Sequence, residues 1–490
     1  MNLTDAIGDW ARRAPGVPAL VADDRSLDRA RLEAAAGAAA AALAVAGLAR
    51  GDPVAVVPGP DPFLHVVVTL ALARLGLVHI PFRPGEPPAR RAAVCRALGA
   101  RALVTDAPAA AEALRVIRPE PAWLDARPPA AAAAAADVPA VPWVIAHSSG
   151  STGAPKAIAV THAMELARNR RDRQHFQHRP GEPYLTLIGP GFYNSTSSTI
   201  RCLGHGGTVV LGRPFRTLGE VLGTIERHRV AFLQLTPSHL HQIVHALPDG
   251  PPRLPGLRVL RVSSAALPAR TLELTRRRLT PAVHLTYGTN EAGTLAVATP
   301  DLLARHPGTV GRWLADIEID LVGPDDHPVA DGVPGLVRVR GPGVMDAYLG
   351  DADATARHCR GGWFHPGDLA LRDAAGLVFL KGRSDRVMNV AGVLRASEEI
   401  EAILLAHPDV AEAAVVPLAS DRFEAMPAAA VVLLAPVARE ALAGRVHQAL
   451  GGLPLLVVPV DALPRTAIGK PDYPRIAELV AAQLRPERGT

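Results

Sequence analysis

Apolar and polar positions along this chain fall into a repeating cycle of helix-length and strand-length runs. "SLDRARLEAAAGAAAAALAVAGL" (26–48) reads as a helix by alanine content and length, and "DPVAVVP" (52–58) as a strand bounded by prolines. "ARRAAVCRALGARALVTD" (89–106) repeats the cycle. The pattern resumes in "GGTVVLG" (206–212), "VAFLQLTPSHLHQIV" (230–244) and "LRVLRVSS" (257–264). Such alternation predicts a layered α/β fold with largely parallel sheets. From about Gly308 the strands shorten and are split by glycine and proline, as in "IEIDLVGP", "GLVRVRGPG" and "GLVFLKGRSD", which predicts an antiparallel, β-barrel-like section. A smaller α+β unit follows Asp385, beginning with the helix "SEEIEAILLAHPDV". The expected division is a large domain over 1–383 and a small domain over 384–490. "RPPAAAAAAADVPAVP" (127–142) reads as a surface linker.

The most apolar window, "FLHVVVTLALARLGLVHIPF" (63–82), is interrupted by His65, Arg74 and His79, so it predicts a buried helix running into a strand and no membrane span. The N-terminus lacks an apolar core of signal-peptide type, and a cytoplasmic location is expected. Three cysteines far apart form neither a disulfide framework nor a zinc site. A formal net charge of +5 over 490 residues, with arginine spread along the chain, argues against nucleic-acid binding.

"SSGSTGAPKA" (148–157) has the composition of an anion cradle, with backbone N–H groups, hydroxyls and one mobile ammonium. It is not the P-loop of nucleotide triphosphatases, because Pro155 precedes Lys156 and Ala157 follows it. By itself the stretch is equally a polar loop. Five more stretches follow it in order: "SSAALP" (263–268), "YGTNE" (287–291), "GWFHPGDLA" (362–370), "KGRSDRVMNVAG" (381–392) and "LPRTAIGK" (463–470).

Together these six resemble the core motifs of the adenylate-forming (ANL) superfamily: acyl-CoA synthetases, nonribosomal-peptide adenylation domains and luciferases. The resemblance implies ATP-dependent activation of a carboxylic acid as an acyl-adenylate, release of pyrophosphate, and transfer to a thiol of coenzyme A or of a carrier protein acting in trans. Transfer to an amine is the alternative acceptor chemistry. A homologue that binds nucleotide or acyl ligand without turnover is the reading from another class.

On that resemblance, Ser148, Ser149, Gly150, Ser151, Thr152, Gly153 and Lys156 hold the β- and γ-phosphates. Tyr287 stacks on adenine beside Ala265, Gly288 and Thr289, and Asn290 stands where relatives carry threonine at the α-phosphate. Glu291 positions Mg²⁺. Asp368 accepts from both ribose hydroxyls, joined by Arg383, and Asp385 is the hinge of the small domain. Lys470 enters the site to meet the carboxylate and α-phosphate oxygens.

Two positions depart from the family pattern. Asn389 replaces a common lysine, and Ser263–Ser264 replace a common glycine pair. For the acid, Tyr193, Asn194, Ser198, Ser263 and Ser264 are the candidate contacts. With no aspartate near Asn194 to pair an α-ammonium, they imply a small or aryl carboxylic acid over an α-amino acid or a long chain. The same serines serve equally well to satisfy loop backbone.

Overall fold

A computed structural model of the protein describes residues 1–106, 114–127, 136–147, 156–176, 178–212, 217–390, 393–419, 425–466 and 471–484. The chain is a mixed α/β protein. One sheet has six strands in the order Arg115–Ile117, Ala102–Val104, Pro53–Val56, Val78–Pro81, Pro142–His147, Ala157–Thr161. All its pairs are parallel except the last, which is antiparallel. The 148–155 stretch therefore joins two antiparallel strands, with Lys156 at the foot of the second; its own residues lie outside those described.

A second, nine-stranded sheet has a parallel centre built from Pro18–Ala22, Thr208–Val210, Pro183–Thr186, Phe232–Leu235, Val259–Val262 and Val283–Thr289. Antiparallel strands close its two edges. The helix Pro62–Leu75 is apolar all round and buried nearly all round, as its place in the core requires. Asp61 caps it by accepting from the Phe63 N–H, and Gly76 ends it at φ 70°. No helix of the described residues is long and apolar enough to cross a membrane.

One expectation is corrected in detail and another refined. Residues 26–28 form the end of a strand, Arg25–Asp28, because Leu27 pairs with Leu20 across a hairpin; the helix starts at Arg29 behind the Asp28 cap. The tail of the expected linker lies at the surface, with Asp137, Pro139 and Ala140 exposed, but it is anchored at two points. Val138 is buried against Gly76, and Asn2 donates to the carbonyl of Ala136. Residues 128–135 lie outside those described.

The section from Glu318 to Arg383 forms a six-stranded antiparallel sheet. The hydrophobic core that unites both large sheets takes in Ala370 and Val378, with Leu380 packed against it; separate cores begin at Met388. The smaller C-terminal domain holds a two-stranded hairpin and a three-stranded sheet of Val410–Ala419, Ala425–Leu433 and Leu456–Pro459.

Candidate active site

Polar side chains gather where the strand Val283–Thr289 ends. The main chain reverses there into Gly293–Ala298, with a bulge between Tyr287 and Gly288. Gly288 is required by this crossing: a Cβ would stand 2.3 Å from the carbonyl oxygen of Gly293. Tyr287 is buried, and its hydroxyl donates to Asp368 Oδ2 at 2.6 Å. Burial first, and the Asp368 carboxylate second, push its phenol well above the ordinary range. Thr289 accepts from the Ala292 N–H and shapes the turn, at which Asn290 is exposed.

Glu291 leaves the turn with its carboxylate Oε1 accepting from the Tyr348 hydroxyl at 3.0 Å. The Lys156 ammonium lies 5.5 Å from the centroid of the same tyrosine ring. The backbone fixes this arrangement, because the Leu349 N–H donates to Ala157 O, next to Lys156, and the Met345 N–H donates to Glu291 O. Tyr348 thus touches both the metal-site carboxylate and the phosphate-loop lysine of the expected site. Sequence reasoning missed it. It lies in "GPGVMDAYLGD", between the stretches that carry the motifs, and no local spacing marks it.

Behind Glu291 stands Arg168, buried on the helix His162–His175. Its guanidinium donates to Glu291 O at 2.8 Å, to Gly343 O at 2.7 Å and to the Tyr193 hydroxyl at 2.7 Å. Tyr193 in turn donates to Glu165, which also accepts from Ser197. One turn on, fully buried Arg171 donates to the carbonyls of Ala292 and Thr294 and pairs with Asp316. Two buried cations therefore hold the 291–294 turn by its carbonyls. Their signal in the sequence, "ELARNRRDR", reads as an ordinary solvated basic face.

Asp368 and Arg383 face each other across adjacent antiparallel strands. Arg383 Nη1 donates to Asp368 Oδ1 at 3.3 Å, while its Nε and Nη2 donate to the two oxygens of Asp385 at 2.9 and 3.0 Å. The Asp385 hydrogen bonds raise the Arg383 pKa further above its ordinary value. Burial alone would raise Asp385, and the Arg383 guanidinium outweighs it, so that carboxyl lies below its usual range. Asp385 sits in the turn Ser384–Arg386, between the last residues of the large core and the first of the small ones.

Lys470 and Ser148 to Gly153 lie outside the described residues, and the chain is placed up to Thr466 on the way to that lysine. Arg465 pairs with Glu412 of the small domain and donates to Ser238 Oγ of the large one at 3.4 Å. The terminal segment thereby meets the N-terminal turn of the helix Pro237–Ala246.

The five expected acid contacts are placed differently from the wall of the nearby cavity. That wall takes Ser195, Thr196, Thr199 and Ile200 from the helix Tyr193–Gly204. Tyr193 and Ser198 lie on other faces of the same helix, as its 3.6-residue period dictates, and their hydroxyls are used on Glu165 and on Asn194 O. Asn194 Oδ1 accepts from Gln234. Ser263 Oγ is buried with no hydrogen-bond partner among the described residues. Ser264 is exposed and adopts φ 83°, a left-handed conformation that suits glycine. Ala265 beside it is exposed.

The model of AMP-binding enzymes matches residues 7–349, and that of the AMP-binding enzyme C-terminal domain matches 399–470. The chain belongs to the AMP-binding enzyme family. The indoleacetate–CoA ligase of Aromatoleum aromaticum is 32% identical over 352 residues, covering 70% of this chain and 68% of that protein. The feruloyl-CoA synthase of an Amycolatopsis species is 29% identical over 502 residues, covering 95% and 97%. Among solved structures, the amide bond synthetase McbA of Marinactinospora thermotolerans superimposes with a TM-score of 0.84 at 27% identity, over 97% of this chain and 99% of that one. The O-succinylbenzoate coenzyme A synthetase of Bacillus subtilis, bound to ATP and magnesium, shares the fold with a TM-score of 0.84 at 23% identity.

Proposed function

We propose that this AMP-binding enzyme uses ATP to activate an aryl or other small carboxylic acid as its acyl-adenylate, releases pyrophosphate, and passes the acyl group to a thiol. The observation that carries this is the convergence of Lys156, Tyr348, Glu291, Tyr287, Asp368 and Arg383 on one site from widely separated segments.

Each group has a task in that reaction. The acid's carboxylate oxygen attacks the α-phosphorus, and the bond to the bridging oxygen of pyrophosphate breaks. Negative charge builds on phosphoryl oxygens, so cations and N–H donors facing them lower the barrier. Lys156 and the 148–153 stretch would serve the leaving phosphates, with Asn290 offering an amide at the α-phosphate. Lys470 would serve the oxygens of the forming anhydride. Asp368 can accept from both ribose hydroxyls, and Tyr287 and Arg383 hold its carboxylate in place.

Glu291 suits Mg²⁺, which takes one or two carboxylates together with substrate phosphates and water. Among the described residues no group of three His, Cys, Asp or Glu side chains is placed to hold a metal ion. The bound ion would neutralise phosphate charge; Tyr348 and Arg168 keep the Glu291 carboxylate aimed.

We place the domain boundary at residues 383–385, with Asp385 as hinge, so that one small domain serves first adenylation and then transfer. Coenzyme A or a carrier protein is the proposed thiol, and the cytoplasm the proposed location. A second reading, transfer to an amine, is favoured by the full-length likeness to an amide bond synthetase. Asn389, on the strand Val387–Val390, stands where relatives often carry lysine, so any contact that lysine makes in the second step has no counterpart ammonium here.

Pyrophosphate exchange into ATP with a panel of acids tests the first half-reaction, and no exchange with any acid would falsify it. Product masses with coenzyme A, a holo carrier protein and amines offered together identify the acceptor.

A further inference from the structure

Arg386 closes the turn Ser384–Arg386, directly after Asp385. Its side chain is only 18% exposed, and its guanidinium makes three contacts at once. Nη1 donates to Glu398 at 2.5 Å and Nη2 to Glu401 at 2.6 Å, both on the helix Ser397–Leu405. The guanidinium carbon stands over the ring of Tyr473, 3.6 Å from its centroid. An exposed arginine pair would constrain little. A planar fork held by two carboxylates and stacked on a ring has its orientation fixed.

Tyr473 is tied to the same carboxylate. Its hydroxyl donates to Glu401 Oε1 at 3.2 Å, and that oxygen also accepts from the Val415 N–H at 2.9 Å. Burial first, and the Glu401 charge second, raise the Tyr473 pKa, so the phenol keeps its proton and stays a donor.

Tyr473 opens the helix Tyr473–Leu484, three positions after Lys470. The chain on either side of residues 467–470 is drawn together: the Asp472 N–H donates to Pro464 O at 2.8 Å, and Arg465 pairs with Pro471 as an antiparallel bridge. On the near side, Arg465 pairs with Glu412 of the strand that also carries Val415. The base of the segment that bears Lys470 is thus bound to the turn at Asp385 through Tyr473, Glu401 and Arg386.

Resting on the adenylation reading, we infer that Arg386 is a positioning residue for Lys470, acting through the stack on Tyr473 and the shared carboxylate of Glu401. Arg386, Glu398, Glu401 and Tyr473 all follow Asp385 in the chain, so a swing about Asp385 carries the clamp and the lysine segment as one body. Lys470 serves the forming anhydride and has no task in the later transfer. Loosening the clamp therefore harms the first half-reaction alone, the reverse of what loosening the hinge should do.

The test starts from synthetic acyl-adenylates of a panel of aryl acids, benzoyl-adenylate among them. With pyrophosphate added, a pyrophosphate oxygen attacks the α-phosphorus, the carboxylate leaves, and ATP forms by the reverse of adenylation. With coenzyme A, a holo carrier protein and an amine offered instead, the acyl group is transferred and AMP is released. Arg386→Gln should slow ATP formation about tenfold and leave acyl transfer within about twofold of wild type. Tyr473→Leu, which removes the ring and keeps both Arg386 ion pairs, should give the same split. Should Arg386→Gln fail to fold, as read by urea unfolding, Tyr473→Leu decides alone. Equal losses in the two reactions, or undiminished ATP formation in the folded variants, overturn the assignment and leave adenylation standing. Wild-type enzyme that forms no ATP from any acyl-adenylate of the panel overturns adenylation itself.

Discussion

The Tyr348 hydroxyl donates to Glu291 Oε1 at 3.0 Å while its ring faces the Lys156 ammonium at 5.5 Å. One side chain thus joins the proposed metal carboxylate to the proposed phosphate cation. Hydrogen bonds to charged groups contribute about 1.5–3 kcal/mol. Tyr348→Phe should therefore lower kcat/KM in pyrophosphate exchange by about tenfold and raise the Mg²⁺ concentration needed for half-maximal rate. A variant with an unchanged Mg²⁺ dependence removes Tyr348 from this role.

Arg168 supports the same turn from within. Its replacement leaves the Gly343 carbonyl without its donor, takes one of two donors from Glu291 O, and removes the cation beside the Tyr193–Glu165 pair. Arg168→Leu should destabilise the fold by about 3 kcal/mol in urea unfolding. Exchange activity should fall even at temperatures where the variant is folded. Stability lost without any change in folded-state activity would reduce Arg168 to a packing residue.

Arg383 has one carboxylate on each side: Asp368 on the adjacent strand and Asp385 in the turn proposed as the hinge. Asp385→Ala should free the turn while leaving the Asp368 contact in place. Acyl transfer is then expected to drop about tenfold, with pyrophosphate exchange altered by less than about twofold. A parallel decline of both half-reactions would argue against a hinge.

His162 gives a pH dependence of stability. It is fully buried, and its Nδ1 accepts from the Leu3 N–H at 3.2 Å, so the native ring is neutral at that nitrogen. Burial, with the N-terminal ammonium adding to it, lowers its pKa to about 4. The unfolded ring titrates near 6.5, so the unfolded chain binds the proton first as pH falls. The contribution is whole above pH about 6.5 and is lost progressively down to about 4, a total of roughly 3 kcal/mol. His162→Asn should flatten the melting temperature over that window. A variant as acid-sensitive as wild type would assign the effect to other buried histidines, such as His79, whose pKa burial also lowers.

Much of the site was legible because its chemistry is written locally. Tyr287, Gly288, Thr289, Asn290 and Glu291 are consecutive, and Asp368 and Arg383 each sit in a short glycine-containing motif. The structure brings Tyr287, Asp368 and Arg383 into contact. The helix at 63–75 was legible too, since an apolar run of that length with only isolated polar residues is too long for a strand and satisfies its own backbone hydrogen bonds as a buried helix. What escaped notice depends on contacts between distant residues. Tyr348 meets Glu291 across 57 positions, and Arg168 meets Glu291 across 123. Nothing within a window of either residue registers such a partner.

The sequence by itself determined the α/β layering, the change to antiparallel strands and the order of the reactive motifs. Those follow from backbone hydrogen-bond periods and from side-chain chemistry, which act over a few residues. Only the tertiary structure decided which face of the helix Tyr193–Gly204 meets the cavity, leaving Ser198 turned away and Thr199 on the wall. It alone set both arginines beneath the 291–294 turn. Helix rotation and layer spacing are fixed by the packing of whole elements against one another, and that energy is spread over contacts far apart in the chain.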